Sequence, residues 1–267
     1  LGAEAGGQIG AYNGDLSVGS LRVEASAGSA SLDLQAGTLG RAGFFILNAS
    51  TGKVSVDGDV LLRATGAESA VTADMVSHNE GMSFGASLKV IAAGEHSSAG
   101  MVAEATSNHV SISNLLDVSL LPSVPLTVTG EVAVLASNAG ADANLKLSTG
   151  RGELRVGGNV GVQATGERAT SAAELAGYYA NLVLGGDVST LASGDHSHAQ
   201  LQAHSSGSNA FTTLSDLPGR INVAGNVEVK ANGTNALSEI ALRANPHNGV
   251  AIGKGVSVSA EGAGATA

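Results

Sequence analysis

The sequence predicts an all-β fold: a right-handed parallel β-helix (solenoid) of about eight three-stranded rungs, each ~28 residues long, with three longer corner insertions. One frame of alternating apolar residues recurs along almost the whole chain, and its copies keep a near-constant spacing. The composition also suits a thin core built layer by layer. With 38 Gly, 4 Phe, 3 Tyr and no Trp among 267 residues, the core is left to Val, Leu, Ile and Ala. A compact enzyme of this length would anchor its interior on several large aromatic side chains.

The frame reads Φ-x-Φ-x-x-x-Φ-x-Φ-x-A-x-G, with Φ apolar. It occupies 54–66, 82–94, 126–138, 154–166, 182–194, 221–233 and 250–262, and an eighth copy at 16–28 fits with one residue deleted at the bend. Strict alternation over so few residues marks short strands with one buried face. Gly58, Gly130, Gly158, Gly186 and Gly225 stand at the bend between two strands. The expectation there is a positive φ, which glycine adopts without a Cβ penalty. A third alternating run follows the frame, for example at 30–36, 141–147, 199–203 and 238–244. One repeat thus supplies three strands and three corners.

The anchor position Val60, Leu88, Val132, Val160, Val188, Val227, Val256 recurs at intervals of 28, 44, 28, 28, 39 and 29. A period of ~28 residues matches one turn of a three-sided coil, whose rungs bury their inner faces only by stacking at ~4.8 Å. Parallel crossovers give the right-handed sense. Longer intervals place insertions near 37–53, 106–125 and 205–220, all after the third strand. They carry Phe44, Phe45 and Phe211, with Leu115, Leu116, Leu120 and Leu121 in the middle one. The expectation is that they fold back onto an outer sheet face, or else form a contact patch for a neighbouring filament or receptor. After the bend glycine stand Asp59, Glu131, Asn159, Asp187 and Asn226, with Ser87 in the same place. These form either a mixed side-chain ladder or a set of ordinary turn residues. Residues 1–267 read as a single β-helix segment, a slice of a longer repeat protein. Residues 3–14 look like the tail of a preceding third strand, the last frame has no third strand after it, and no capping segment is visible.

A formal net charge of −10 with only 13 Lys and Arg argues against nucleic-acid binding, which rests on clustered cations. No run of ~18 apolar residues exists, so no membrane insertion of this segment is expected. The first residues lack the basic and apolar regions of a signal peptide. Cys is absent, which removes disulfides and thiolate metal sites.

No Walker or GxGxxG loop, GxSxG elbow, HExxH pair, EF-hand or calcium-binding nonapeptide occurs. The densest polar cluster is Gly194, Asp195, His196, Ser197 and His198. Two His and an Asp are metal-ligand types. Yet the equivalent loops read Gly-Glu-His-Ser-Ser at 94–98 and Gly-Glu-Arg-Ala-Thr at 166–170, which predicts a solvated loop. Glu167 and Asp195 should sit on adjacent rungs with Arg168 nearby. Tyr178 and Tyr179 should point one ring inward and one outward. A carbohydrate-cleaving groove needs convergent carboxylates and usually aromatic sugar platforms, and this chain has little from which to build one. The sequons at Asn48 and Asn232 are short enough to be coincidence. No catalytic, cofactor-binding or metal-binding residue is assigned, no cofactor is expected, and the chain is read as not an enzyme.

The runs Gly-Asn-Val-Glu-Val-Lys-Ala-Asn-Gly at 225–233 and Gly-Asn-Val-Gly-Val-Gln-Ala-Thr-Gly at 158–166, with their alanine-rich partner strands, resemble the repeats of filamentous haemagglutinin-like adhesins. The resemblance is one of repeat style and covers about 14–262. It implies a large exoprotein of Gram-negative bacteria, exported by two-partner secretion with an outer-membrane partner. It also implies an extracellular or cell-surface location and a role in attachment, aggregation or biofilm formation. This segment would be the repeat shaft, with host-surface, glycan or neighbouring-filament contacts as the possible partners. A carbohydrate-active or glycan-binding β-helix is the alternative. Asn245, Pro246, His247, Asn248 and Gly249 resemble the family's Asn-Pro-Asn secretion motif only superficially.

Overall fold

A computed structural model describes residues 3–37, 51–106, 123–178, 180–206, 219–244 and 248–267. The described residues form strands and turns and contain no helix. The chain is a parallel β-helix, and each rung contributes up to three strands. First strands are Leu16–Val18, Gly52–Val56, Leu126–Val128, Leu154–Val156, Leu182–Leu184, Ile221–Val223 and Val250–Ile252. Second strands are Leu21–Ala25, Val60–Ala64, Leu88–Ala92, Val132–Ala136, Val160–Ala164, Val188–Ala192, Val227–Ala231 and Val256–Ala260. Third strands are Glu4–Ala11, Ser29–Ala36, Ser98–Thr106, Asp142–Thr149, Thr170–Tyr178, His198–Ser206 and Leu237–Arg243. Ala70–Phe84 serves as a third strand and then, without a break, as the next first strand.

The second strands form an eight-stranded parallel sheet in rung order. The first and third strands make a fifteen-stranded sheet, because Ala70–Phe84 joins the two sets. That strand turns its corner from within. Asn79 and Gly81 have φ of 67° and 124°, and Gly52 opposite them pairs with both His78 and Asn79. The extra residue of such a bulge bends a strand without ending it.

The anchor column is a single register line, from Leu21 through Val60, Leu88, Val132, Val160, Val188 and Val227 to Val256. The shortened first frame falls into line too, with Leu16 opposite Val54 and Leu21 opposite Val60. Residues 4–11 are a full third strand paired with Ser29–Ala36. After the last frame, Thr266 already pairs with Leu237. The cores of the three insertions, 38–50, 107–122 and 207–218, lie outside the described residues, as do Asn48 and 245–247.

Inward side chains alternate with outward ones on all three sides, and Val160, Leu88, Leu126 and Leu175 are fully buried. Burying each such side chain stabilises the fold by roughly 1.5–3 kcal/mol. Large and small residues alternate around a layer, so the narrow interior fills. The third strands supply the small inward line Ala99, Ala143, Ser171, Ala199, Ser238. Two members of that line are polar and satisfied: Ser171 Oγ donates to the Gln163 carbonyl at 2.7 Å, and Ser238 Oγ donates to Thr190 Oγ1 at 2.8 Å. Thr190 stands where the frame asks for an apolar residue, and this bond removes the cost of its buried hydroxyl.

The corners depart from the sequence expectation. The bend glycines do not adopt positive φ. Their reason is close approach: a Cβ on Gly225 would collide with the Asp187 backbone and carboxylate, and one on Gly186 with Asn159. Positive φ is concentrated in the corner between second and third strands, at Gly28, Glu68, His96, Gly140, Arg168, His196, Asn235 and Gly264. Five of these eight are not glycine. A left-handed residue with a side chain costs about 1–2 kcal/mol. The offset is local, because each N–H points along the stack. Glu68 donates to the Glu95 carbonyl, His96 to Ala139, Arg168 to Asp195 and His196 to Thr234, all at 2.8–2.9 Å.

Two substitutions test this architecture. Val160→Asp, fully buried in the second-strand line, should lower stability by several kcal/mol, whereas Gln163→Asp on the outer side of the same strand should melt like the parent. Gly225→Ala should cost about 1–3 kcal/mol through overpacking, while Gly249→Ala, with nothing within 4 Å of its added Cβ, should be near neutral. Thermal melts of the four variants decide both points.

Candidate functional site

The loop that sequence reading singled out is built into the stack. Asp195 Oδ1 accepts the Thr234 N–H of the next rung at 2.9 Å. His196 occupies the left-handed corner position, with Nε2 at 3.3 Å from Asn235 Nδ2. Ser197 is buried and donates to the Gly194 carbonyl at 2.6 Å. His198 Nε2 lies 3.8 Å from Glu239 Oε2. Asp195, His196 and Ser197 are therefore engaged with different partners, while the buried His198 Nε2 has no hydrogen-bond partner among the described residues. Among the described residues no group of three or more His, Cys, Asp and Glu side chains converges as a metal site. Glu167 and Asp195 do lie on adjacent rungs, linked by the Arg168 N–H to the Asp195 carbonyl, and Arg168 Nε is 3.9 Å from Glu167 Oε1.

The column after the bend glycine is a ladder, but not one of side-chain amides alone. Asp59 Oδ1 accepts the Ser87 N–H at 3.0 Å, Asn159 Oδ1 the Asp187 N–H at 2.9 Å, and Asp187 Oδ1 the Asn226 N–H at 2.7 Å. Asn226 Oδ1 accepts the Gly255 N–H at 3.2 Å. What the position needs is an acceptor one atom beyond Cγ, which Asp and Asn share. The Asn226 backbone N–H holds the Asp187 carboxyl below the usual carboxylate range, with the more distant Lys254 adding to it.

The outer face of the third strands carries the densest set of ionisable groups. Lys146 Nζ donates to Glu104 Oε1 at 2.8 Å, and that bond raises the Lys146 ammonium above its ordinary value. Glu174 Oε1 is 3.8 Å from His204 Nε2, and Tyr178, 38% exposed, meets the His204 ring edge-on at 5.8 Å. Tyr178 is thus on the outside, and Tyr179 lies outside the described residues. Beside this cluster runs a shallow trough with Gly100 and Ala172 in its floor and Asn144, Lys146, Glu174 and Gln202 along it. Amide, carboxylate and ammonium groups over a small-residue floor offer donors and acceptors to a hydroxyl-rich ligand. Asp74 and Glu174 share one column through Val102 and Lys146, three strands apart. At ~4.8 Å per strand that is about 14 Å, too wide for paired-carboxylate glycoside cleavage.

Sequence reading passed over His78. It is buried, 3% exposed, beside the in-strand corner. Gln35 Nε2 lies 3.3 Å from its Nε2, and its Nδ1 lies 2.7 Å from Thr106 Oγ1, so the ring ties together three rungs. Thr106 Oγ1 donates on to the Ser77 carbonyl, and Ser77 Oγ to that of Gly52. The pattern fits a neutral ring with its proton on Nδ1. Burial pushes the His78 imidazolium to a lower pKa than a free histidine's. The trough and this network share one cause of invisibility: their neighbouring members are 25–44 residues apart and meet only once the register is known.

No protein-family model, curated protein or solved structure matches the chain.

The His78 network sets a pH dependence. An unfolded histidine takes its proton near pH 6.5, and buried His78 takes it lower. Protons then favour the unfolded chain as pH falls below about 6.5. The network's contribution is full above that pH and is lost as pH drops through the folded value. Urea midpoints at pH 7.5 and 5.0 should differ more for the parent than for His78→Gln. Equal differences would remove His78 as the source.

Proposed function

We propose that this chain is a structural shaft segment of a secreted or cell-surface bacterial adhesin, serving attachment, aggregation or biofilm formation. The observation that supports this most is the unbroken parallel register, in which eight second strands and their corners all bond rung to rung. Such a stack resists bending and stretching along its axis, because every rung is held by its neighbours on three sides. The role is mechanical and non-catalytic: the rod holds binding regions away from the cell. Under this reading an outer-membrane secretion partner exports the protein, and the insertions and outer faces are where host surfaces, glycans or neighbouring filaments would be met. The repeat resemblance supplies the adhesin part of the reading, and the ladder supplies the rod.

A glycan-binding role is the second reading, and the trough along Asn144, Lys146, Glu174 and Gln202 favours it.

Electron cryo-tomography of cells carrying the full-length parent protein tests the shaft reading. Thin rods standing off the envelope with a ~4.8 Å axial repeat, lost with the gene together with surface attachment, are expected for the shaft. Compact particles without rods would overturn it. Binding of the purified chain on a glycan array, abolished by Gln202→Ala, would instead support the second reading.

A further inference from the structure

The outer face of the second-strand sheet has a shape and a charge order of its own. Two outward lines run down it. One reads Arg22, Leu61, Lys89, Ala133, Gly161, Ser189, Glu228, Ser257, and the other Glu24, Arg63, Ile91, Leu135, Gln163, Leu191, Lys230, Ser259. In the middle rungs the first line is small and the second is large. The small line makes a trough over Ala133, Gly161 and Ser189, walled on one side by Leu135 and Gln163, and the hollow continues past Glu228 to Ser257 with a total of about 550 Å³. The leucines are half-buried, with outward apolar surface left to cover.

We propose that this face pairs with the same face of a second copy, side by side and parallel, about a two-fold axis along the rod. That axis sets each line opposite the other line of the partner, rung for rung. The large Leu135, Gln163 and Leu191 then enter the partner's trough over Ala133, Gly161 and Ser189, and the exchange is reciprocal, as a two-fold interface requires. Charges agree at two outer rungs, while Arg63 of one copy comes within one strand of Lys89 of the other, a cation that Glu131 already neutralises at 2.7 Å. Arg22 faces the second copy's Glu24, and Glu228 its Lys230; each pair already bonds within one copy, at 2.8 and 2.6 Å, and the dimer makes a square of alternating charges from two such pairs. Reversing the second copy end for end instead sets small on small, and leaves the trough empty.

The face is also free of roots. The three insertions leave the chain between third and first strands, and neither corner bordering the second-strand sheet carries one. Eight strands of five residues cover about 500 Å² per copy, below the ~800 Å² per partner of a standard stable interface. The pairing is therefore weak and reversible for one segment and gains strength with rod length. It is independent of the adhesin reading, since it rests on this face alone.

The test is sedimentation equilibrium of the 267-residue chain, with circular dichroism to check the fold of each variant. The parent should pass from monomer to dimer between about 10 µM and 1 mM, the range of interfaces of this size. Gly161→Arg blocks the trough, and the fold tolerates it because a Cβ there meets only Ser189 Oγ, at 3.7 Å. It should stay monomeric throughout. Glu228→Lys should weaken pairing about tenfold through like charges, and Glu228→Lys with Lys230→Glu should restore it. The chain has no cysteine, so a short bis-maleimide reports orientation cleanly. Ser189→Cys mixed with Leu191→Cys should cross-link, whereas Ser189→Cys mixed with Ala133→Cys should not. A parent that stays monomeric at 1 mM overturns the proposal. So does association that survives Gly161→Arg, which would place it at the rod ends, or the reverse cross-linking pattern.

Discussion

Apart from a short turn at one corner and a few side-chain contacts, a rung of this fold bonds to its neighbours and not to itself. Its strands give their N–H and C=O groups to the rungs before and after, in one parallel register that holds from Leu21 to Val256. The corners obey the same rule, since a corner that slipped would shift every strand after it and turn inward side chains outward. This explains why three unlike devices appear at the corners. Asp59, Asn159, Asp187 and Asn226 place an acceptor over the next N–H. Left-handed residues aim their N–H along the axis. Glycines remove the Cβ where successive rungs come closest. All three fix the height of a rung.

The strands were legible in the sequence because alternation and a ~28-residue period are each visible in a single chain. Even the shortened first frame was correctly placed. The corners were legible in position and wrong in cause. Glycine at a bend suggests positive φ, but at Gly186 and Gly225 crowding by the neighbouring rung is what excludes a side chain. Conversely Glu68, His96 and Arg168 carry no local sign of a left-handed backbone, because what holds them there is the hydrogen bond each N–H donates to a carbonyl on another rung. Propensity describes a residue with its chain neighbours, and here the deciding neighbours are 27 or more residues away.

Side-chain clusters show the same limit. The conspicuous local group around His196 is dispersed into separate contacts. The group that does assemble, Glu104, Lys146, Glu174, His204 and Tyr178, comes from four third strands. Thr190 looks like a lapse in the apolar frame until Ser238 is set beside it. In a stacked fold the column, not the segment, is the unit in which a site is written. The three sides are correspondingly unlike one another: one polar and ionisable, one smooth and self-complementary, one interrupted at its corner.

That interrupted corner carries a consequence for how such a chain changes over time. Insertions root after the strands ending at Ala36, Thr106 and Ser206, which are the second, fourth and seventh third strands of the stack. Their roots are therefore offset by two and three strands, about 10 and 14 Å at ~4.8 Å each. Duplicating or deleting one rung moves every later root by a single step and leaves the cross-section unaltered. The edge works like a ruled margin with notches at whole-number marks. Whatever reads it can be retuned by counting rungs, with no new surface to invent.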